Sequence, residues 1–156
     1  MPRLLLLLPT ATYRTAAFLG AARKLGAEVV IASEQPNVFQ EAQPGRFLTL
    51  DFFNHDKAAR QVVDFAATRP IAAVVGVDDA TTVLAAALSA ALSLPHNSVA
   101  SASASRDKHR MRDLLSRDGV PVPPYILRSL DDNLISEARR VAFPCVVKPL
   151  ILSASR

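Results

Sequence analysis

Two lysines and a loop of small residues are the side chains whose types and spacing suit a strongly anionic ligand. In Pro144-Cys145-Val146-Val147-Lys148-Pro149 a short apolar run leads into a lysine. On a strand successive side chains alternate faces, so Lys148 shares a face with Val146. An ammonium at the end of a buried strand needs an anion, because an unpaired charge is costly to remove from water, and a phosphate group fits that need. The other reading is a lysine whose stem lies along apolar surface while its head reaches solvent. Further on, Ser153-Ala154-Ser155-Arg156 supplies small residues, hydroxyls and a guanidinium. Such a stretch lets backbone N–H groups approach phosphate oxygens closely. It contains no glycine, and many plain surface loops share its composition.

Lys108 is the second cationic candidate. The stretch Ser105-Arg106-Asp107-Lys108-His109-Arg110-Met111-Arg112-Asp113-Leu114-Leu115 reads as a helix with Ser105 as its N-cap and Met111, Leu114 and Leu115 as its buried stripe. Lys108 stands three residues before Met111 and seven before Leu115. That spacing sets it at the edge of the stripe, able to point into a cleft, with Arg112 on the same side. A solvated charged face is the competing reading, the better one for Arg106 and Arg110 and, on spacing alone, for Lys108 as well. Asp78 and Asp79, in Gly76-Val77-Asp78-Asp79-Ala80-Thr81-Thr82, are candidates to bind an amine, since ligands of open α/β sheets sit at the carboxyl ends of the strands. For Asp78 the better reading is a plain helix N-cap, since such caps are common. His55, His96 and His109 show no metal-ligand spacing, and the single Cys145 has no partner, so it is assigned as a small buried apolar residue. The loop Pro9-Thr10-Ala11-Thr12 opens a helix and suits an anion, but without GxGxxG it is no dinucleotide fingerprint.

The elements that must position these groups alternate between strand-like and helical patterns, the sign of a parallel sheet covered on both faces. Strands are expected at Arg3–Leu8, Glu28–Ala32, Phe47–Leu50 and Ile71–Val75. Helices are expected near Tyr13–Leu25, with Gly26 as a left-handed stop, near Asn54–Thr68, and over the almost wholly apolar Asp79–Leu92. At Pro95-His96-Asn97 the pattern changes, and Ser98 to Ser105 is mostly Ser and Ala without charge. A boundary is placed there, giving domains 1–104 and 105–156. The second is expected to hold a helix over Arg106–Arg117, a turn at Gly119, a short strand at Tyr125–Leu127, a helix near Leu130–Val141 and a strand at Cys145–Lys148.

Composition bounds the reading. Half of the 156 residues are apolar and only 6% aromatic, so one core built from small aliphatic side chains is expected. The five leucines after Arg3 end at Pro9, too short for a secretory leader or a spanning helix. With the single cysteine, this predicts a cytoplasmic protein without a membrane partner. The net charge of +4 lies wholly in the last third: residues 1–104 balance 8 Lys+Arg against 8 Asp+Glu, whereas residues 105–156 hold 10 against 6. An anionic ligand is expected there. Nucleic acid is not, because the cations are interleaved with Asp107 and Asp113 and lack stacking aromatics nearby.

Taken together, Asp107-Lys108, Arg112-Asp113-Leu114-Leu115, Gly119-Val120-Pro121-Val122-Pro123, Phe143-Pro144-Cys145-Val146-Val147-Lys148-Pro149 and Ser153-Ala154-Ser155-Arg156 resemble the start of an ATP-grasp domain. The preceding alternation resembles its usual N-terminal partner, the pre-ATP-grasp domain. The resemblance implies an α/β fold, a Rossmann-like parallel sheet followed by a partial α+β ATP-grasp subdomain. It implies that Lys108 and Lys148 contact the phosphates of ATP, and that Ser153, Ser155 and Arg156 begin the loop that closes over them. It further implies a ligase that activates a small-molecule carboxylate as an acyl phosphate and transfers it to an amine or another nucleophile. Mg²⁺ is implied too, with ligands expected beyond residue 156, so these residues alone are not expected to catalyse. Which acid and nucleophile are joined is not legible. Two other readings compete: a response-regulator receiver, for which Asp51 follows the third strand but the acidic pair follows the wrong strand, and a non-catalytic Rossmann-like module that binds a small ligand or pairs with another subunit, a homo-oligomer included.

Overall fold

The leucine run at the start of the chain becomes strand β1 (Arg3–Leu7), and it lies inside a parallel sheet. In this computed structural model, which describes residues 1–133 and 143–151, β2 (Glu28–Ser33) pairs along one side of β1 with Leu5 opposite Val30. Along the other side runs β4 (Ala73–Gly76), with Leu5 opposite Val74. β3 (Phe47–Thr49) pairs outside β2, giving the order β3-β2-β1-β4. Alternation sends Leu5 and Leu7 to one face and Leu6 and Leu8 to the other, and all four are buried. Helix α1 (Thr15–Lys24) covers the second face with Phe18 and Leu19. Helices α2 (His55–Thr68) and α3 (Thr82–Ala91) cover the first with Ala58, Val62, Leu84 and Leu88. Each fully buried leucine contributes roughly 1.5–3 kcal/mol relative to exposure. The Rossmann-like α/β reading of the sequence is what the chain adopts.

Helix ends follow local chemistry. Asn54 caps α2, its side chain accepting from Lys57 N–H at 3.0 Å. α1 ends at Gly26, whose φ of +62° is the left-handed turn foreseen for it, with Gly26 N–H on Arg23 O and Ala27 N–H on Ala22 O. α3 ends in the same pattern on Ser93, at φ +55°, a conformation that costs a side-chain-bearing residue more than glycine.

Contacts divide the chain into Met1–Ala102 and Ser103–Arg156. The division falls within helix α4 (Val99–Arg106) in sequence, where a break in regular structure was expected. Alternating Ser and Ala makes a helix here because alanine is the strongest helix former and Ser98 caps it, its hydroxyl accepting Ser101 N–H at 3.0 Å. Ser105 is consequently interior to α4, and the N-cap of α5 (Lys108–Arg117) is Asp107 instead. α5 has no buried residue: Leu114 and Leu115 are exposed, not part of a covered stripe.

Neither Tyr125–Leu127 nor Cys145–Lys148 is a strand. Apolar alternation makes a strand only where a neighbouring backbone completes the ladder, and among the described residues neither segment has one. Val146 and Val147 are 79% and 95% exposed, and Cys145 is an exposed free thiol, not a buried one. The helix expected near Leu130–Val141 lies mostly outside the described residues.

Gly76 closes β4 where the backbone of Thr81 folds back on it. A Cβ there would stand 2.8 Å from Thr81 Oγ1 and 3.0 Å from its carbonyl oxygen. Thr81 has no freedom to retreat, being fully buried with its hydroxyl donating to Asp78 O at 2.7 Å. Gly76→Ala is therefore expected to destabilise the first unit by about 1–3 kcal/mol, as overpacking does. An unchanged urea midpoint for this variant would show that the approach is not tight.

Candidate functional site

Strand order places two loops side by side in the first unit. β1 connects to β2 on one side, and the chain crosses from β3 to β4 on the other, so the carboxyl ends of β1 and β4 form the switch point where open sheets hold ligands. The two strands stay bonded to their ends, Val77 N–H donating to Leu7 O at 3.2 Å. The β1–α1 loop and the Asp78-Asp79 turn therefore leave the sheet together. Asp78 occupies the N-cap position of a 3-10 turn (Asp79–Thr81), yet its side chain makes no capping hydrogen bond. The turn is instead held by Thr81 and Thr82 hydroxyls, which donate to Asp78 O and Asp79 O at 2.7 and 2.9 Å. Arg14, at the end of the β1–α1 loop, has its guanidinium held above its ordinary value first by Tyr13 beside it and further by the charges of Asp78 and Asp79. The two carboxylates thus lie close enough to act on the Arg14 guanidinium.

A second contact crosses from β1 to β2. Thr10 N–H donates to both Glu34 carboxylate oxygens, at 3.0 and 3.2 Å, and its hydroxyl donates to Oε1 at 2.6 Å. The loop that seemed open to an anion already holds one from its own chain. Sequence reasoning passed over Glu34; its signal was its place directly after β2, beside the loop that follows β1. Glu34 also lines an open hollow of about 420 Å³ at the ends of β2 and β3, with Thr49, Asp51, Phe53, Lys57 and Gln61. Asp51 uses its Oδ1 to hold the turn into α2, accepting from Phe53 and Asn54 N–H at 3.0 and 3.2 Å.

The second unit holds the cationic candidates. Asp107 accepts from His109 and Arg110 N–H, both at 2.9 Å, and so fixes the first turn of α5. Lys108, the first residue of that helix, then donates outward twice to one acceptor: its backbone N–H reaches Leu150 O at 3.2 Å and its ammonium reaches the same oxygen at 3.1 Å. Leu150 is two residues past Lys148 in sequence, so α5 and the lysine-bearing segment are tied together. Lys148 itself is exposed, not at the end of a buried strand. Tyr125 packs on the same helix, its ring 5.5 Å from that of His109 and 5.4 Å from the Arg112 guanidinium. Ser153, Ser155 and Arg156 lie outside the described residues. Among the described residues no group of three His, Cys, Asp or Glu side chains could hold a metal ion, and no helix is long and apolar enough to cross a membrane.

The ATP-grasp N-terminal domain family matches residues 19–96, half of the chain. The formate-dependent phosphoribosylglycinamide formyltransferase of Burkholderia mallei is 29% identical over 138 residues, covering 87% of this chain and 33% of that protein. The chain therefore spans about one third of the length of the curated relatives it matches. Among solved structures, the L-amino acid ligase from Bacillus licheniformis superposes with a TM-score of 0.67 at 19% identity, over 90% of this chain and 42% of the other. The phosphoribosylglycinamide synthetase from Anaerococcus prevotii gives 0.61 at 17% identity, over 92% and 35%. At these identities the structures speak to the fold.

The Glu34 clasp has a pH signature. Burial opposes ionisation, but the donors on the carboxylate, from Thr10, Ser33 and the Glu34 backbone, together outweigh it and hold the carboxyl below its ordinary range. A depressed carboxyl contributes stability that is present above its unfolded value and lost as pH falls through the folded one. Thr10→Val removes the hydroxyl donor and is expected to move the Glu34 titration upward, read by carboxyl-carbon NMR. Identical titrations in the two proteins would show that the hydroxyl does not hold the charge.

Proposed function

The chain belongs to the ATP-grasp N-terminal domain family, and on that premise we propose that it is the amino-terminal portion of an ATP-dependent ligase in which Lys108 and Lys148 hold the nucleotide phosphates. The observation that carries the reading is the double hydrogen bond from Lys108 to Leu150 O, which ties two cation-bearing segments far apart in sequence. Two ammonium groups on neighbouring segments suit a polyphosphate, whose charge is spread over several oxygens. Ser153, Ser155 and Arg156 belong to the same proposal as donors to those oxygens.

In this reading a carboxylate oxygen of the acid substrate attacks the γ-phosphorus, ADP leaves, and the resulting acyl phosphate is attacked by an amine or another nucleophile with release of phosphate. The lysines contribute by neutralising charge and orienting the phosphates. Asp78 and Asp79, beside Arg14 at the switch point, are the proposed contacts for the acceptor, the carboxylates for its amine. Among the described residues no group of three His, Cys, Asp or Glu side chains gathers around a possible Mg²⁺ position. Its ligands are assigned to a part of the ligase outside these residues, and no step is routed through it. The relatives' names, a formyltransferase acting on phosphoribosylglycinamide and a ligase of amino acids, support small-molecule carboxylate and amine substrates.

Lys148→Ala is expected to weaken Mg-ATP binding roughly 10- to 100-fold, the range for loss of a hydrogen bond to a charged group. Isothermal titration of the full-length ligase and its variant checks this. Equal affinities would remove Lys148 from the site.

A further inference from the structure

Lys108 makes a contact that phosphate binding alone does not call for. Its backbone N–H is one of the donors that a helix start leaves without an intrahelical acceptor. Asp107 takes the next two, His109 and Arg110, so the Lys108 amide is directed to Leu150 O at 3.2 Å. The ammonium converges on that oxygen at 3.1 Å. A carbonyl oxygen has two lone pairs, and both donors come from one residue. The segment they tie down has little else of a regular kind: residues 145–149 form neither helix nor strand, and Val146 and Val147 are almost fully exposed. Lys108 supplies two of the hydrogen bonds that hold it.

We propose that Lys108 is a positioning residue for the Lys148 segment as well as a phosphate ligand. Its ammonium holds the Leu150 carbonyl. When nucleotide binds, the ammonium exchanges that neutral carbonyl for a charged phosphate oxygen, the stronger acceptor, while the backbone N–H keeps its bond to Leu150. Lys108 thereby couples phosphate occupancy to the freedom of residues 145–151. The coupling rests on the nucleotide reading above, but the nucleotide-free tie does not.

Cys145 permits a direct test, being the one cysteine of the chain and exposed. A nitroxide attached there reports the mobility of the segment by electron paramagnetic resonance, with Mg-ATP titrations of the same labelled proteins run in parallel. Without nucleotide, Lys108→Met is expected to raise the mobile-to-immobile ratio of the label roughly two- to tenfold, the loss of one modest hydrogen bond. Lys108→Arg, which keeps a cationic donor, is expected to stay near the parent. At saturating Mg-ATP the parent and Lys108→Met spectra are expected to coincide, since the ammonium has left Leu150 in one and is missing in the other. Lys108→Gln replaces the methionine variant if circular dichroism shows that the latter does not fold. Equal spectra without nucleotide overturn the tie even if ATP binds normally. A difference that persists at saturation overturns the exchange. Failure of the parent to bind Mg-ATP sinks the nucleotide reading, and the exchange with it, while leaving the nucleotide-free comparison to decide the tie.

Discussion

Strand β1 is bonded on both edges and packed on both faces, and the remainder of the first unit is arranged around that constraint. Five leucines cannot sit in water as an edge strand without inviting association, so β2 and β4 must flank them, and a helix layer must cover each face. Satisfying both edges with parallel partners fixes where the connections run. It also decides where the chain can change direction, and hence which loops emerge side by side. The Asp78-Asp79 turn leaves the sheet beside the loop that carries Arg14 because β4 had to lie against β1.

The parallel sheet was legible because its signals are local: apolar runs of strand length, helical periodicity between them, and a glycine just past the end of α1. Strand and helix limits shifted by a residue or two, and the apolar helix after Asp79 begins as a 3-10 turn. What misled were segments whose outcome depends on something distant. Cys145–Lys148 has a strand's pattern, but among the described residues no neighbouring backbone pairs with it, and its cysteine and valines are exposed. The Ser/Ala stretch misled for the opposite reason. Its composition suggested a domain boundary and no helix was assigned to it, whereas alanine's helix preference and a serine cap are enough to form α4.

The candidate site shows the same division. Helical spacing alone left Lys108 on a solvated face, and it was the resemblance to the ATP-grasp family that singled it out; Asp107 next to it explains how the helix start is built. The acceptor of Lys108 is a main-chain carbonyl, which carries no sequence signal at all. Glu34 was equally hidden, since a carboxylate after a strand declares nothing until the loop it clasps is known. Sequence thus reveals the groups able to carry charge, and the fold decides which of them are already satisfied by the chain itself.

The interior place of β1 carries a cost during synthesis. Its second neighbour starts only at Ala73, and α3, which helps to close one face, starts only at Thr82. A nascent chain that has emerged as far as β3 can pair one edge of the leucine strand while the other stays open, a sticky intermediate of the kind that chaperones shield. Pairing between ends so distant in sequence is slow to form. The ribosome must therefore deliver α2 and β4 before the leucine strand is safe from self-association.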